Sequence, residues 1–212
     1  MPFLREIIPG IGIRAGIWQI TESAEELLSL VNLSSLETAT YLSFGNQLRK
    51  RQWLAYRVLL THLLAPLPSD IIYDAHGKPF LMSGSHSISV SHAGEFAAAV
   101  CRTQHPAGID IEKIKDRVER VKDRFLQVKE LNILTSENRL EQLYVYWSGK
   151  EALYKLHGKP DVDFRNDIYI HPFDYLCNTD QYTRATLTVG SLSKDYTLYF
   201  QKIGEYMLVV AY

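Results

Sequence analysis

The sequence predicts an α+β fold of two similar halves, each setting a helix before antiparallel strands. Three observations carry that expectation. Segments near 46–64 and 136–155 have helical character, each is followed by short runs of strand-forming residues, and Tyr-x-x-His-Gly-Lys-Pro occurs at both Tyr73–Pro79 and Tyr154–Pro160. A division near Pro106 gives halves of 1–105 and 106–212.

In chain order, Gly12 to Ile20 reads as a strand, because Ile13, Ile17, Trp18 and Ile20 supply β-branched and aromatic bulk. Thr21 is the expected N-cap of a helix whose first turn carries Glu22, Glu25 and Glu26. A longer helix is expected from Asn46 to Leu64, with Leu48, Trp53, Leu54, Val58, Leu59 and Leu63 on its apolar side and Pro66 and Pro68 ending it. Tyr73 to Phe80 reads as a turn or loop, and Ser87–His92 and Phe96–Val100 as short strands joined through Ala93-Gly94.

Gly108-Ile109-Asp110-Ile111-Glu112 reads as the end of a strand continuing from Ala97–Val100. Val118–Leu126 and Ser136–Lys155 read as helical, with Gly158 and Pro160 as a stop signal. From Asp167 to Tyr212 the alternation fits an antiparallel meander.

Bulk properties narrow the function. A composition with 46% hydrophobic and 22% charged residues is that of a globular protein, and no run approaches a membrane span. A net charge of −1 argues against generic nucleic-acid binding, which needs a strongly basic surface. Cys101 and Cys177 lie too far apart in sequence to suggest a disulfide framework and read as free thiols. The first residues show no basic region before an apolar run, so no signal peptide and a cytoplasmic location are expected.

The chemistry concentrates in two segments. On a strand, residues two apart share a face, so Asp110 and Glu112 present paired carboxylates. About thirty-five residues on comes Trp147-Ser148-Gly149-Lys150-Glu151-Ala152-Leu153-Tyr154-Lys155, where Glu151 and Lys155 share one helix face. Three carboxylates and a lysine meeting on one strand and one helix suit a hard divalent cation and a phosphate.

This two-part pattern, Gly-Ile-Asp-x-Glu and then Trp-Ser-x-Lys-Glu-Ala-x-x-Lys, resembles the 4′-phosphopantetheinyl transferase superfamily, in its longer, monomeric, surfactin-synthetase-activating type. The resemblance spans Arg49 to Lys155, and Gly149 fills a position that the pattern leaves open. It implies two similar α+β halves, each a helix packed on an antiparallel sheet, with the active site between them. It also implies a monomer with pseudo-twofold symmetry.

The implied activity moves 4′-phosphopantetheine from coenzyme A to a serine of an apo acyl or peptidyl carrier protein and releases 3′,5′-ADP. Mg²⁺ would be held by Asp110, Glu112 and Glu151, with Glu151 as base and Lys155 on a phosphate oxygen. By the same resemblance Ser91 and His92 meet the 3′-phosphate, and Gly77, Lys78 and Pro79 meet the adenine and phosphates. Lys50 and Arg51 meet the nucleotide, and Glu130 and Arg57 are further candidates. Two rival readings of the residues are a coenzyme-binding module without activity and a metal-dependent phosphohydrolase. The latter lacks the additional His and Asp ligands of a two-metal centre.

Overall fold

A computed structural model describes residues 3–65, 70–177 and 179–212. The chain divides into two compact units, Met1–Pro106 and Ala107–Tyr212. Each holds helices and an antiparallel sheet, which is the mixed α+β architecture that the sequence predicts. Among the described residues no helix is long and apolar enough to cross a membrane.

In the first unit, strands β1 (Phe3–Gly10), β2 (Ile13–Gln19), β5 (His86–Ala93) and β6 (Phe96–Thr103) form a sheet in the order β1-β2-β6-β5, and β3 (Ile71–Tyr73) pairs with β4 (Pro79–Leu81) in a separate hairpin. Strand β1 escapes sequence reading because Pro9 and Gly10 argue against a strand. It forms as an edge strand whose register shifts between Ile7 and Gly10, where the missing proline N–H is tolerated.

Three helices complete this unit: α1 (Ala24–Leu28), α2 (Ser35–Ser43) and α3 (Gln47–Leu64). The cap of α1 is Ser23 rather than Thr21. Its hydroxyl accepts from Glu26 N, and the Glu26 carboxylate answers on Ser23 N, a reciprocal box that Thr21 is placed too early to make. Ser34 and Glu37 repeat the device at the start of α2, a helix not anticipated from the sequence. Asn46 caps α3, which packs on β6 and β2 and buries Trp53, Leu54, Leu59 and Leu63, although Leu48 stays exposed. Pro66 and Pro68, the expected stop of α3, lie outside the described residues.

In the second unit, β7 (Gly108–Lys113) opens a sheet with β8 (Ile168–Ile170), β9 (Gln181–Val189), β10 (Leu192–Ile203) and β11 (Tyr206–Ala211), in the order β7-β11-β10-β9-β8. Gly108–Glu112 is therefore a strand of its own and not the continuation of Ala97–Val100, which belongs to β6 in the other unit. Its partner β11 is supplied by the far end of the chain, with Asp110 opposite Val209. Most of Val118–Leu126, expected as a helix, instead forms two short 3-10 turns, Asp116–Arg120 and Lys122–Arg124, before the single turn α4 (Val128–Leu131). The long helix α5 (Arg139–His157) ends at Gly158 with φ 78°, as its stop signal predicts.

Each unit repeats one connection: the last strand returns beside the strand that precedes the long helix, β6 beside β2 and β11 beside β7. The repeated Tyr-x-x-His-Gly-Lys-Pro is a different matter. Its first copy turns the β3–β4 hairpin and its second closes α5, and the shared element is a left-handed glycine at Gly77 and at Gly158.

Two glycines let α5 lie close against its sheet. A Cβ on Gly108 would sit 1.9 Å from the Ala152 carbonyl oxygen, and one on Gly149 would sit 2.8 Å from Ile170 Cδ1. Gly149 is thus a packing position rather than an indifferent one. Gly108→Ala meets backbone, which cannot turn aside as a side-chain tip can. We expect it to lose about 3 kcal/mol or more of stability in urea unfolding, at or beyond the upper range for overpacking.

Candidate active site

The close approach at Gly108 fixes which face of β7 meets α5. Residues 108, 110 and 112 share that face, so Asp110 and Glu112 are carried toward the helix while Ile109 and Ile111 point the other way and are buried. From α5, Lys155 answers directly. Its ammonium donates to Asp110 Oδ1 at 2.7 Å and to the Ile109 carbonyl at 3.2 Å.

Glu151, one turn earlier, completes the group. Burial raises its pKa to about 7, with the Asp110 and Glu112 charges adding to the rise and Lys155 opposing it. Glu112 is also raised, by burial first and then by Asp110, while Arg117, Lys155 and a hydrogen bond from Trp147 pull it back. Asp110, Glu112, Glu151 and Lys155 therefore share one electrostatic environment, and the sequence expectation that they converge is met within the second unit. Beside Glu112 opens a cavity of about 250 Å³ lined by Arg117, Val118, Val121, Tyr144 and Trp147.

Among the described residues, no three His, Cys, Asp or Glu side chains are grouped so as to hold a metal ion. Asp110, Glu112 and Glu151 are thus not a ready-made cage, and Lys155 already occupies one Asp110 oxygen. The donor set nevertheless suits Mg²⁺, which takes one or two carboxylates and completes its shell with phosphate and water oxygens. A cation would favour the charged forms of Glu112 and Glu151, which burial first and neighbouring carboxylates second disfavour.

Lys150 and Glu130 have another task. Both side chains are 0% exposed and ion-paired at 2.8 Å. The Lys150 ammonium also donates to the carbonyls of Phe125, Phe164 and Ile168. Burial draws its pKa down to about 8, against the pull of Glu130. The Glu130 carboxylate accepts from Gln127 N and Ile170 N as well. Glu130, a candidate site residue by sequence, is consumed in this knot, which ties α5 to α4 and to β8.

In the first unit the expected coenzyme residues divide. His92 half-emerges from β5 on the face of Val90, turned toward α3, where Arg49 contacts its Nε2. Ser91 is the next residue along the same strand, so its side chain leaves the opposite face and is buried. The two do not form one side-chain pair. Gly77, Lys78 and Pro79 sit in the β3–β4 turn, which Asp74 braces by accepting from His76 N and Lys78 N at 2.8 and 2.9 Å. Burial lowers the Lys78 pKa.

Lys50 lies over the Tyr41 ring, and Arg51 is half-buried on α3. Arg57 is 2% exposed, pairs with Glu37 at 3.1 Å and stacks on Trp53 at 3.3 Å, so a direct nucleotide contact is not what its position serves. Nothing in the sequence marks Arg49, Asp74, Arg117 or the hydrogen bond from Trp147 to Glu112. Arg49 belongs to the basic triplet Arg49-Lys50-Arg51, in which no sequence signal separates one cation from the next.

Comparison with known families decides the kinship. The family model described as the 4′-phosphopantetheinyl transferase superfamily matches residues 106–209, the segment that holds Asp110, Glu112, Glu151 and Lys155. The second unit is thus a domain of the 4′-phosphopantetheinyl transferase superfamily. Among its relatives is the 4′-phosphopantetheinyl transferase AcpT of Escherichia coli K12, 34% identical over 116 residues, which are 52% of this chain and 59% of the relative. AcpT of Salmonella typhi is 28% identical over 137 residues, covering 62% of this chain and 71% of the relative. The similarity thus takes in somewhat more than half the length of the E. coli transferase. The superfamily match falls on the unit with the acidic cluster, whereas His92, Lys78 and the α3 cations lie outside it.

Proposed function

We propose that the protein transfers the 4′-phosphopantetheine arm of coenzyme A to a serine hydroxyl of an apo acyl or peptidyl carrier protein, releasing 3′,5′-ADP. The observation that carries this reading is the Asp110–Glu112–Glu151–Lys155 cluster, with Glu151 drawn to about 7 beside a lysine that can meet a phosphate.

The carrier serine must lose its proton as its oxygen attacks the phosphorus bearing pantetheine. The bond from that phosphorus to the bridging oxygen breaks, and the electron pair leaves with 3′,5′-ADP. Glu151, poised near neutrality, accepts the serine proton directly or through water. Lys155 turns from Asp110 to a pyrophosphate oxygen as a charge-assisted donor. Asp110 and Glu112, with Glu151, would hold Mg²⁺, which supplies charge neutralisation at the pyrophosphate oxygens. Holding metal weakens Glu151 as a base, so its two tasks compete.

Trp147 fixes Glu112 by hydrogen bonding, and the cavity beside it offers a largely apolar wall to the pantetheine arm. For the coenzyme's nucleotide end, Lys50, Arg51, Gly77, Lys78, Pro79, Ser91 and His92 are proposed on the motif, with Arg49 added by its contact with His92.

Intact mass of a panel of apo carriers, incubated with the protein, coenzyme A and Mg²⁺, tests the proposal. We expect one carrier to gain a single phosphopantetheine and chelation of Mg²⁺ to prevent it. Coenzyme A binding with no mass gain on any carrier would instead favour a binding module without activity.

A further inference from the structure

A line of hydroxyls joins the core of the first unit to the Lys78 turn. Arg57 is held by Glu37 and by the Trp53 face, and its Nη1 donates to the Tyr56 hydroxyl at 2.7 Å. The Tyr56 hydroxyl meets that of Tyr73. Arg57 can only donate, so Tyr56 accepts from it, and between Tyr56 and Tyr73 either hydroxyl can be the donor. The line thus runs outward, from a buried cation to a partly exposed phenol.

Tyr73 ends β3, opposite Pro79 on β4, and Asp74 follows it directly. Asp74 gathers the turn: its carboxylate accepts from His76 N and Lys78 N, its own N–H donates to the Lys78 carbonyl, and Gly77 N donates to the Asp74 carbonyl. A three-residue strand in a two-stranded hairpin has little stability of its own. The contact of Tyr73 with Tyr56 fastens this hairpin through its side chain to α3, the helix that also carries the Arg49 contact to His92.

We propose that Tyr73 is a positioning residue for phosphate recognition, its hydroxyl locking the Asp74–Lys78 turn to α3 so that Lys78 is presented in one conformation. The inference rests on the assignment of Lys78 to the coenzyme phosphates made above, and takes the 3′-phosphate as the one that Lys78 meets. Tyr56 and Arg57 serve the same end by holding the Tyr73 hydroxyl in place, which accounts for a buried arginine that no ligand need touch.

Tyr73→Phe is the test, since it removes one oxygen from a residue that is 41% exposed and leaves the ring in place. Three readouts are taken on the full chain: amide hydrogen exchange over residues 74–78, affinity for coenzyme A and for 3′-dephospho-coenzyme A, and KM and kcat for transfer. Loss of one hydrogen bond corresponds to about a two- to tenfold change in an equilibrium.

We expect exchange at 74–78 to quicken by that factor with the α3 amides unchanged. Coenzyme A should bind correspondingly more weakly and dephospho-coenzyme A hardly less, with the loss falling on KM rather than kcat. Unchanged exchange at 74–78, or equal losses for both ligands, overturns the proposal. If the wild-type protein binds neither ligand, the coenzyme reading fails by itself, and the exchange measurement still decides whether Tyr73 locks the turn.

Discussion

Glu151→Gln should bind coenzyme A and yet lose nearly all transfer, a fall in kcat of roughly 10²–10⁴-fold, the range for removal of a positioned general base. Gln keeps the size and one carbonyl oxygen, so a role confined to holding metal would be partly restored by raising Mg²⁺. A role in taking the serine proton would not be, because an amide has no useful basicity.

The same substitution has a second signature in the absence of ligand. The Glu151 pKa in the folded protein, about 7, lies above its ordinary 4.5, so the folded state binds the extra proton between those values. Stability from this group is full below about 4.5 and is lost as pH rises through about 7. Glu151→Gln escapes that loss. Its melting temperature should match wild type near pH 4.5 and exceed it above pH 7, where the variant gains about 1–3 kcal/mol of stability over wild type for a shift of this size in a largely buried group. Parallel melting curves for the two proteins across this pH range check it. A wild-type curve that gains stability between pH 5 and 7 relative to the Gln variant would contradict the raised pKa.

Lys150→Met should cost about 3–5 kcal/mol of stability, the range for removing one partner of a buried ion pair. It strands the Glu130 carboxylate in a site 0% exposed and leaves the carbonyls of Phe125, Phe164 and Ile168 without their shared donor. Pairing it with Glu130→Gln should recover a good part of the loss, since no net charge then remains buried. Urea unfolding of the two single variants and the double variant measures the coupling. Additive losses would show that the pair does not act as a unit.

The cluster was legible because its geometry is local. Two-residue spacing on a strand and four-residue spacing on a helix fix faces without tertiary knowledge, and Asp110, Glu112, Glu151 and Lys155 need only that strand and helix to pack. What was not legible depends on partners distant in sequence. Nothing in Gly108–Glu112 announces that β11, far along the chain, lies beside it, and the sequence offers only Ala97–Val100 as a near neighbour.

Lys150 reads as a cation beside Glu151 in the motif. Only the packed helix shows that its side chain goes into the core while Glu151 and Lys155 go to the cluster. The start of α1 is different, since the Ser23-x-x-Glu26 box that caps it is itself legible in the sequence. Ser91 and His92 are neighbours in sequence, and strand alternation alone separates their side chains.

If this acidic cluster and Lys155 perform the transfer, Asp110→Ala should abolish it. Asp110 is 4% exposed and anchors Lys155, so the variant should first be shown to fold by its melting transition. Time-resolved intact mass of the apo carrier, with coenzyme A and Mg²⁺ saturating, then reads transfer by each protein. The wild-type protein should add one phosphopantetheine per carrier while folded Asp110→Ala leaves the carrier unmodified over the same period. Transfer by Asp110→Ala at the wild-type rate would contradict the assignment of this cluster as the active site.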